Sequence, residues 1–181
     1  MIAKPNGYDA SPVYGLGEAE QVTPGGHICQ IKSVRVETDN NNERTMVIAF
    51  DLAERDSQAG YYQRKFASRQ DQGAKWTGVY RQRMDGKGTP YFKGLITSIE
   101  KSNNFTWNWE EATLKGKLFG GIFRREEFIG QDGQPHWSSK ICMVRDVEAA
   151  LAAEPPADKP LSDRPAAPAP VVAPATSELP F

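Results

Sequence analysis

The sequence predicts a mainly β domain, a five-stranded Greek-key barrel with one helix between the third and fourth strands, followed by an unpacked tail. Three observations predict it. Alternating runs rich in Ile, Val and Phe flank polar turns near both ends of the central region, which is the mark of antiparallel hairpins. One stretch, Tyr91 to Ile99, repeats its apolar residues at a spacing of about 3.6 instead of two. Eight of the 13 prolines and six alanines fall in residues 155–181, so that segment has too little apolar bulk to build a core.

Each element follows from local chemistry. Gly26 to Glu37 alternates apolar and polar residues and shifts phase near Lys32-Ser33, as a strand with a bulge does. Thr38 to Glu43 is a polar turn, and Arg44 to Glu54 then places Met46, Ile48, Phe50 and Leu52 on one face of a second strand. Ser57 to Gly60 turns the chain again. Tyr61 to Phe66 and Gly78 to Met84 read as a third, interrupted strand with a loop between its halves. Thr89 is the expected N-cap and Pro90 the first residue of the helix, which Asn103-Asn104 ends. Lys117 to Ile129 is strand four, bent at Gly120-Gly121; residues 131–134 form a hairpin turn into strand five, His136 to Arg145. Asp146 to Ala153 closes the domain as a short helix. The expected division is therefore an irregular lead-in over 1–23, in which Tyr8, Val13, Tyr14 and Leu16 are available to cover the core, a folded domain over 24–154, and a disordered Pro/Ala tail over 155–181.

Composition removes several function classes. The 181 residues carry 22 basic and 23 acidic side chains, a net charge of −1, and suit one domain of ordinary size. No apolar run approaches the ~18 residues that span a bilayer, and the N-terminus has no signal-peptide core, so a cytoplasmic location is expected and no membrane partner. Cys29 and Cys142 are far apart without CxxC spacing and sit in apolar strands, where a free Cys acts as a small hydrophobe. With only His27 and His136, and no GxSxG, HExxH or GxxxxGK[ST] string, no catalytic residue, metal or cofactor is expected. Glu110-Glu111 and Glu126-Glu127 are adjacent carboxylates whose members diverge if the chain is extended, a poor basis for a metal-dependent nuclease.

The order of three strands, a helix and two strands is that of the OB-fold, which serves nucleic acids, proteins and sugars alike, so the residues on it must decide. Tyr61 to Lys101 holds nine basic residues against three acidic ones, a local excess of +6, interleaved with Tyr61, Tyr62, Phe66, Trp76 and Tyr80. A groove for single strands wants cations for phosphates and flat rings for bases. The expected DNA contacts are Tyr62, Arg64, Lys65, Phe66, Arg69, Lys75, Trp76, Tyr80, Arg81, Arg83 and, from strand four, Arg124. Arg124 and Arg125 point to opposite faces of an extended strand, so one of them at most reaches the groove. Trp107 and Trp109 follow the helix and read as a lid on the barrel end in preference to a platform for bases.

The chain ends Ser177-Glu178-Leu179-Pro180-Phe181. With the barrel and the Pro-rich linker, this terminus resembles the bacterial and phage single-stranded DNA-binding proteins. Within the domain the resemblance rests on Pro24-Gly25-Gly26, Tyr91-Phe92-Lys93-Gly94, Glu100-Lys101-Ser102-Asn103 and Leu114-Lys115-Gly116-Lys117-Leu118. It implies a non-enzymatic protein that coats exposed strands in phage or prophage replication and recombination, and that recruits enzymes through Glu178, Leu179, Pro180 and Phe181. In that family the final Phe enters an apolar pocket of the partner. The tip departs from the pattern in having only Glu178 and the terminal carboxylate for charge. The alternative expectation is a protein-interaction scaffold that binds no nucleic acid; the sequence leaves open whether the protein is a homo-oligomer.

Overall fold

The computed structural model describes residues 20–69, 73 and 75–163. Tyr8, Val13, Tyr14 and Leu16 of the lead-in, and the tip residues Glu178, Leu179, Pro180 and Phe181, lie outside the described residues. The chain runs β1 (Gly25–Thr38), β2 (Arg44–Leu52), α1 (Tyr61–Ala67), β3 (Val79–Arg83), α2 (Thr89–Asn103), β4 (Leu118–Ile129), β5 (Pro135–Arg145) and α3 (Val147–Leu151). The strands form one antiparallel sheet in the order β3-β2-β1-β4-β5, and α2 lies between β3 and β4 in the chain, as the pattern predicts. Among the described residues β3 and β5 share no ladder, so the sheet is open between its two end strands.

β1 is the centre of the sheet and carries the predicted bulge. Its pairing with β2 slips between Ile31 and Ser33, so Lys32 is the extra residue and the strand changes face there. Asp39 turns the β1–β2 hairpin by accepting the N–H groups of Asn41 and Glu43, each at 2.9 Å. Beneath the sheet, Ile31, Met46, Ile48, Phe50, Phe119 and Phe123 form the buried core. α2 closes it by contacting β3, β4 and β5 with Phe92, Leu95, Ile96 and Ile99. Burying four such side chains contributes roughly 1.5–3 kcal/mol each, which outweighs the modest helix propensity of a segment with Gly94 and four Thr or Ser.

Three local expectations need correction, and one glycine has a further role. Tyr61–Ala67 is a helix, so the third strand is Val79–Arg83 alone. The α2 N-cap is Gly88, and Thr89 is the first helical residue, its hydroxyl donating to the Met84 carbonyl at 2.9 Å. Gly120 also serves close packing. A Cβ there would overlap the Ala150 side chain and come 2.7 Å from the Asp146 carbonyl, and one on Gly26 would overlap the Ala150 carbonyl, so α3 lies directly on β1 and β4 because both lack side chains. Finally, the Pro-rich segment is folded at its start. Lys159 bridges β4, donating its N–H to the Arg125 carbonyl at 2.9 Å and accepting from Glu127 N–H at 3.0 Å. The β1–β4 ladder ends at Gly25 and Phe123, and this segment satisfies backbone groups of β4 beyond that point.

Gly120→Val tests the role of α3. We expect a loss of about 1–3 kcal/mol in unfolding free energy from overpacking, measured by urea denaturation, and a rise in protease sensitivity near Leu151.

Candidate nucleic-acid interface

Asp51 sets the first wall of the site. This carboxylate, 2% exposed, accepts the N–H of Tyr62 at 2.9 Å and of Gln63 at 3.1 Å, and so caps α1 from the end of β2. Gly60, the residue at the cap position itself, supplies only a left-handed backbone turn. The short helix then drops Tyr61 and Tyr62 inward: their rings meet edge-on at 4.9 Å, and Tyr62 meets Phe50 at 5.1 Å. Burial pushes the Tyr62 phenol well above its ordinary value and also raises that of Tyr80.

A second wall comes from residues 20–23, held by a buried polar network. His27 Nδ1 lies 3.0 Å from Asp56 Oδ1, while its Nε2 lies 2.9 Å from the Thr23 carbonyl. Asp56 also accepts from Ile28 N–H at 2.7 Å and Gln58 N–H at 2.9 Å. Gln58 in turn accepts from Thr23 N–H at 2.8 Å and donates to the Gln21 carbonyl at 3.0 Å. The segment therefore runs in a fixed line to β5, where Gln21 donates to the Trp137 carbonyl at 3.0 Å and Ser139 donates to the Val22 carbonyl.

Between these walls, in the gap left open by β3 and β5, is a cleft of about 630 Å³. Phe50, Tyr61, Tyr62 and Phe123 form its floor; Tyr80 and Arg81 come from β3, Trp137 and Lys140 from β5, and Lys65 from α1. Since both end strands line one cleft, the sheet curls back toward itself without closing. Among the described residues the cleft's cations are Lys65, Arg81 and Lys140 and its acid is Glu20, an excess of two positive charges. Burial lowers the Lys65 pKa, aided by neighbouring Arg69 and opposed by Glu20.

The structure gathers only some of the eleven expected DNA contacts here. Lys65, Tyr80 and Arg81 line the cleft; Tyr62 does too, but at 8% exposure it is part of the core with no ring face to offer a base. Trp76 donates its indole N–H to the carbonyls of Phe50 and Gly78 at 3.2 and 3.0 Å, and packs against Phe66 at 5.8 Å; neither ring lines the cleft. Arg69 and Lys75 are exposed, on either side of the loop after α1. Arg64 pairs with Glu20, Arg83 with Glu43, and Arg124 with Glu126 at 2.8 Å, none of the three lining the cleft. Arg125 does not line the cleft itself; it is paired with Asp158 and lies over the ring of Trp137, 5.7 Å from its centre.

Trp137, Lys140 and Phe128 belong to the cleft and were not among the expected contacts. Their signal in the sequence is weak, because they matter only once β5 faces β3 across the gap. Of the two tryptophans after α2, Trp107 is buried as a lid requires, whereas Trp109 is exposed. Cys29 is fully buried and Cys142 half-buried, both as free thiols. Among the described residues no three His, Cys, Asp or Glu side chains gather where a metal ion would bind, and no helix is long and apolar enough to cross a membrane. No family model matches the chain, and no curated protein matches it in sequence.

The network behind the cleft has a pH signature. Burial raises the Asp56 pKa, but the hydrogen bonds from His27, Gln58 and Ile28 outweigh it, so the net shift is downward. A depressed carboxylate stabilises the fold above its ordinary pKa and loses that contribution as pH falls through the folded value. The contribution of Asp56 to unfolding free energy should therefore be fully present at about pH 5 and above and fall below about pH 4. Asp56→Ala should cost about 3 kcal/mol at pH 7, since it leaves a buried N–H and a buried ring unpartnered, and should make the acid limb shallower. Urea titrations at several pH values read both effects.

Proposed function

We propose that this chain binds single-stranded DNA in the cleft between β3 and β5. The observation that carries the reading is the cleft's make-up. Aromatic rings stand on both of its strand walls, Tyr80 on one and Trp137 on the other, with Arg81, Lys140 and Lys65 beside them. Stacking on such rings contributes roughly 1–3 kcal/mol per base and tolerates any sequence. The gap lies between unpaired edge strands and is open to solvent, so a flexible strand enters where a stiff duplex does not.

Electrostatics is the weaker partner in this reading. Arg81 is already paired with Glu37 at 2.6 Å, and Lys140 lies 3.8 Å from Glu126. The cations of these pairs are about half exposed, so a phosphate displaces a carboxylate instead of meeting a bare cation. With three cleft cations and about −0.7 per neutralised phosphate, the slope of log affinity against log salt should be no steeper than about −2.

By the same reading the protein coats exposed strands during phage or prophage replication and recombination in the bacterial cytoplasm. Its terminal residues, Leu179-Pro180-Phe181, recruit replication or recombination enzymes there. This part rests on the resemblance of the terminus and of the strings within the domain.

Titration with thymidine homopolymer and with duplex of equal length tests the cleft. We expect preference for the single strand, a loss of roughly 1–3 kcal/mol in Trp137→Ala at unchanged salt slope, and a shallower slope in Arg81→Ala. Equal binding of duplex, or binding untouched in both variants, contradicts the reading. For the terminus, removing residues 179–181 should leave DNA affinity in place and abolish capture of a replication or recombination enzyme. An identical set of bound host proteins would make the end passive.

A further inference from the structure

Trp109 is 70% exposed and has a backbone φ of 68°, a conformation that bulky side chains rarely adopt. The loop holds it there. Trp107 N–H donates to Glu100 Oε1 at 2.9 Å, the Trp107 indole donates to the Glu110 carbonyl at 3.0 Å, and Asn108 Oδ1 accepts from Glu110 N–H and from the Thr113 hydroxyl, both at 3.2 Å. Behind the exposed ring stands the buried Trp107, with ring centres 4.8 Å apart and planes at 36°, and Phe92 of α2 at 6.4 Å. The result is a large aromatic surface, turned outward on a fixed backing.

Two acids stand next to it in the chain, and the exposed Lys115 follows them. Glu110 and Glu111 follow directly and are exposed. Among the described residues neither has a cation partner, whereas Glu20, Glu37, Glu43, Asp85, Glu126 and Asp158 are all ion-paired. Lys117, farther along the chain, lies over the Phe105 ring at 4.3 Å. An indole face attracts cations through its quadrupole, and two carboxylates without a cation partner among the described residues attract the same charge while repelling phosphate. None of these residues lines the cleft.

We infer that Trp109, with Glu110 and Glu111, is a docking surface for a basic segment of a partner protein, an Arg or Lys stem lying across the indole with its charged end toward the carboxylates. This surface shares no residue with the DNA cleft, so both can be occupied together.

The test uses the full chain and two fluorescein-labelled probes, a short peptide of alternating Arg and Leu and its counterpart with Glu in place of Arg. The Arg peptide should bind and the Glu peptide should not. Binding should weaken by about tenfold or more in Trp109→Gly and in the double variant Glu110→Gln/Glu111→Gln, with Trp109→Phe partly retaining it. Because Gly relieves the positive φ, Trp109→Gly should melt no lower than the parent, which separates a docking residue from a structural one. Thymidine homopolymer should bind all variants equally. Peptide binding that is unchanged in the variants would overturn the inference, as would DNA binding lost with Trp109 or a parent dimer that Trp109→Gly dissociates. Those last two results would make the occupant a base or a second copy.

Discussion

Phe50 is where the core and the cleft are the same object. Its ring is 2% exposed and stands among Tyr62, Phe119 and Phe123 at 5.1, 5.7 and 6.4 Å. Its N–H donates to the Gly78 carbonyl at 2.8 Å, and its own carbonyl accepts the Trp76 indole. One residue on β2 thus joins the sheet interior, helix α1 and the entry to β3, and its ring is also the floor of the cleft. Site geometry and fold stability are coupled as a consequence: a change that loosens this cluster moves the rings on which the proposed stacking depends.

The charge pattern reads differently in one dimension and in three. Along the chain, Tyr61 to Lys101 has an excess of +6, which suggests a strongly cationic face. Folding brings acids from other elements to these cations: Glu20 to Arg64, Glu37 to Arg81, Glu43 to Arg83. Asp85, within the segment, is held by Arg44 from β2, whose hydrogen bonds take its pKa down to about 2. Of the three cations that line the cleft among the described residues, Arg81 and Lys140 already face acids, so aromatic stacking carries more of the proposed binding than phosphate neutralisation does.

Elements whose cause is local were legible in the sequence. The bulge at Lys32 shows as a phase shift, the polar turn at Asp39 by its side chains, and α2 by its period and by Asn104, which ends it in a left-handed conformation. Elements whose cause is distant were not. α1 is capped by Asp51 from another strand, and with only seven residues rich in aromatics it reads as a strand until that carboxylate is seen. The Pro-rich composition after Glu154 hides Lys159, whose backbone pairs with an edge of β4 that β1 leaves bare. The site was half legible for the same reason. Tyr80 and Arg81 stand in the cationic aromatic stretch, whereas Trp137 and Lys140 join them only because β5 faces β3 across the unpaired gap.

Backbone and indole NMR of labelled protein, titrated with short thymidine homopolymer, tests the central claim most directly. The account predicts that the largest shift changes fall on Tyr80, Arg81, Lys65 and the β5 run Trp137 to Ile141, with the Trp137 indole N–H among the strongest and the Trp109 indole unmoved. Changes centred on any other face, with Trp137 and Tyr80 silent at saturation, would contradict it.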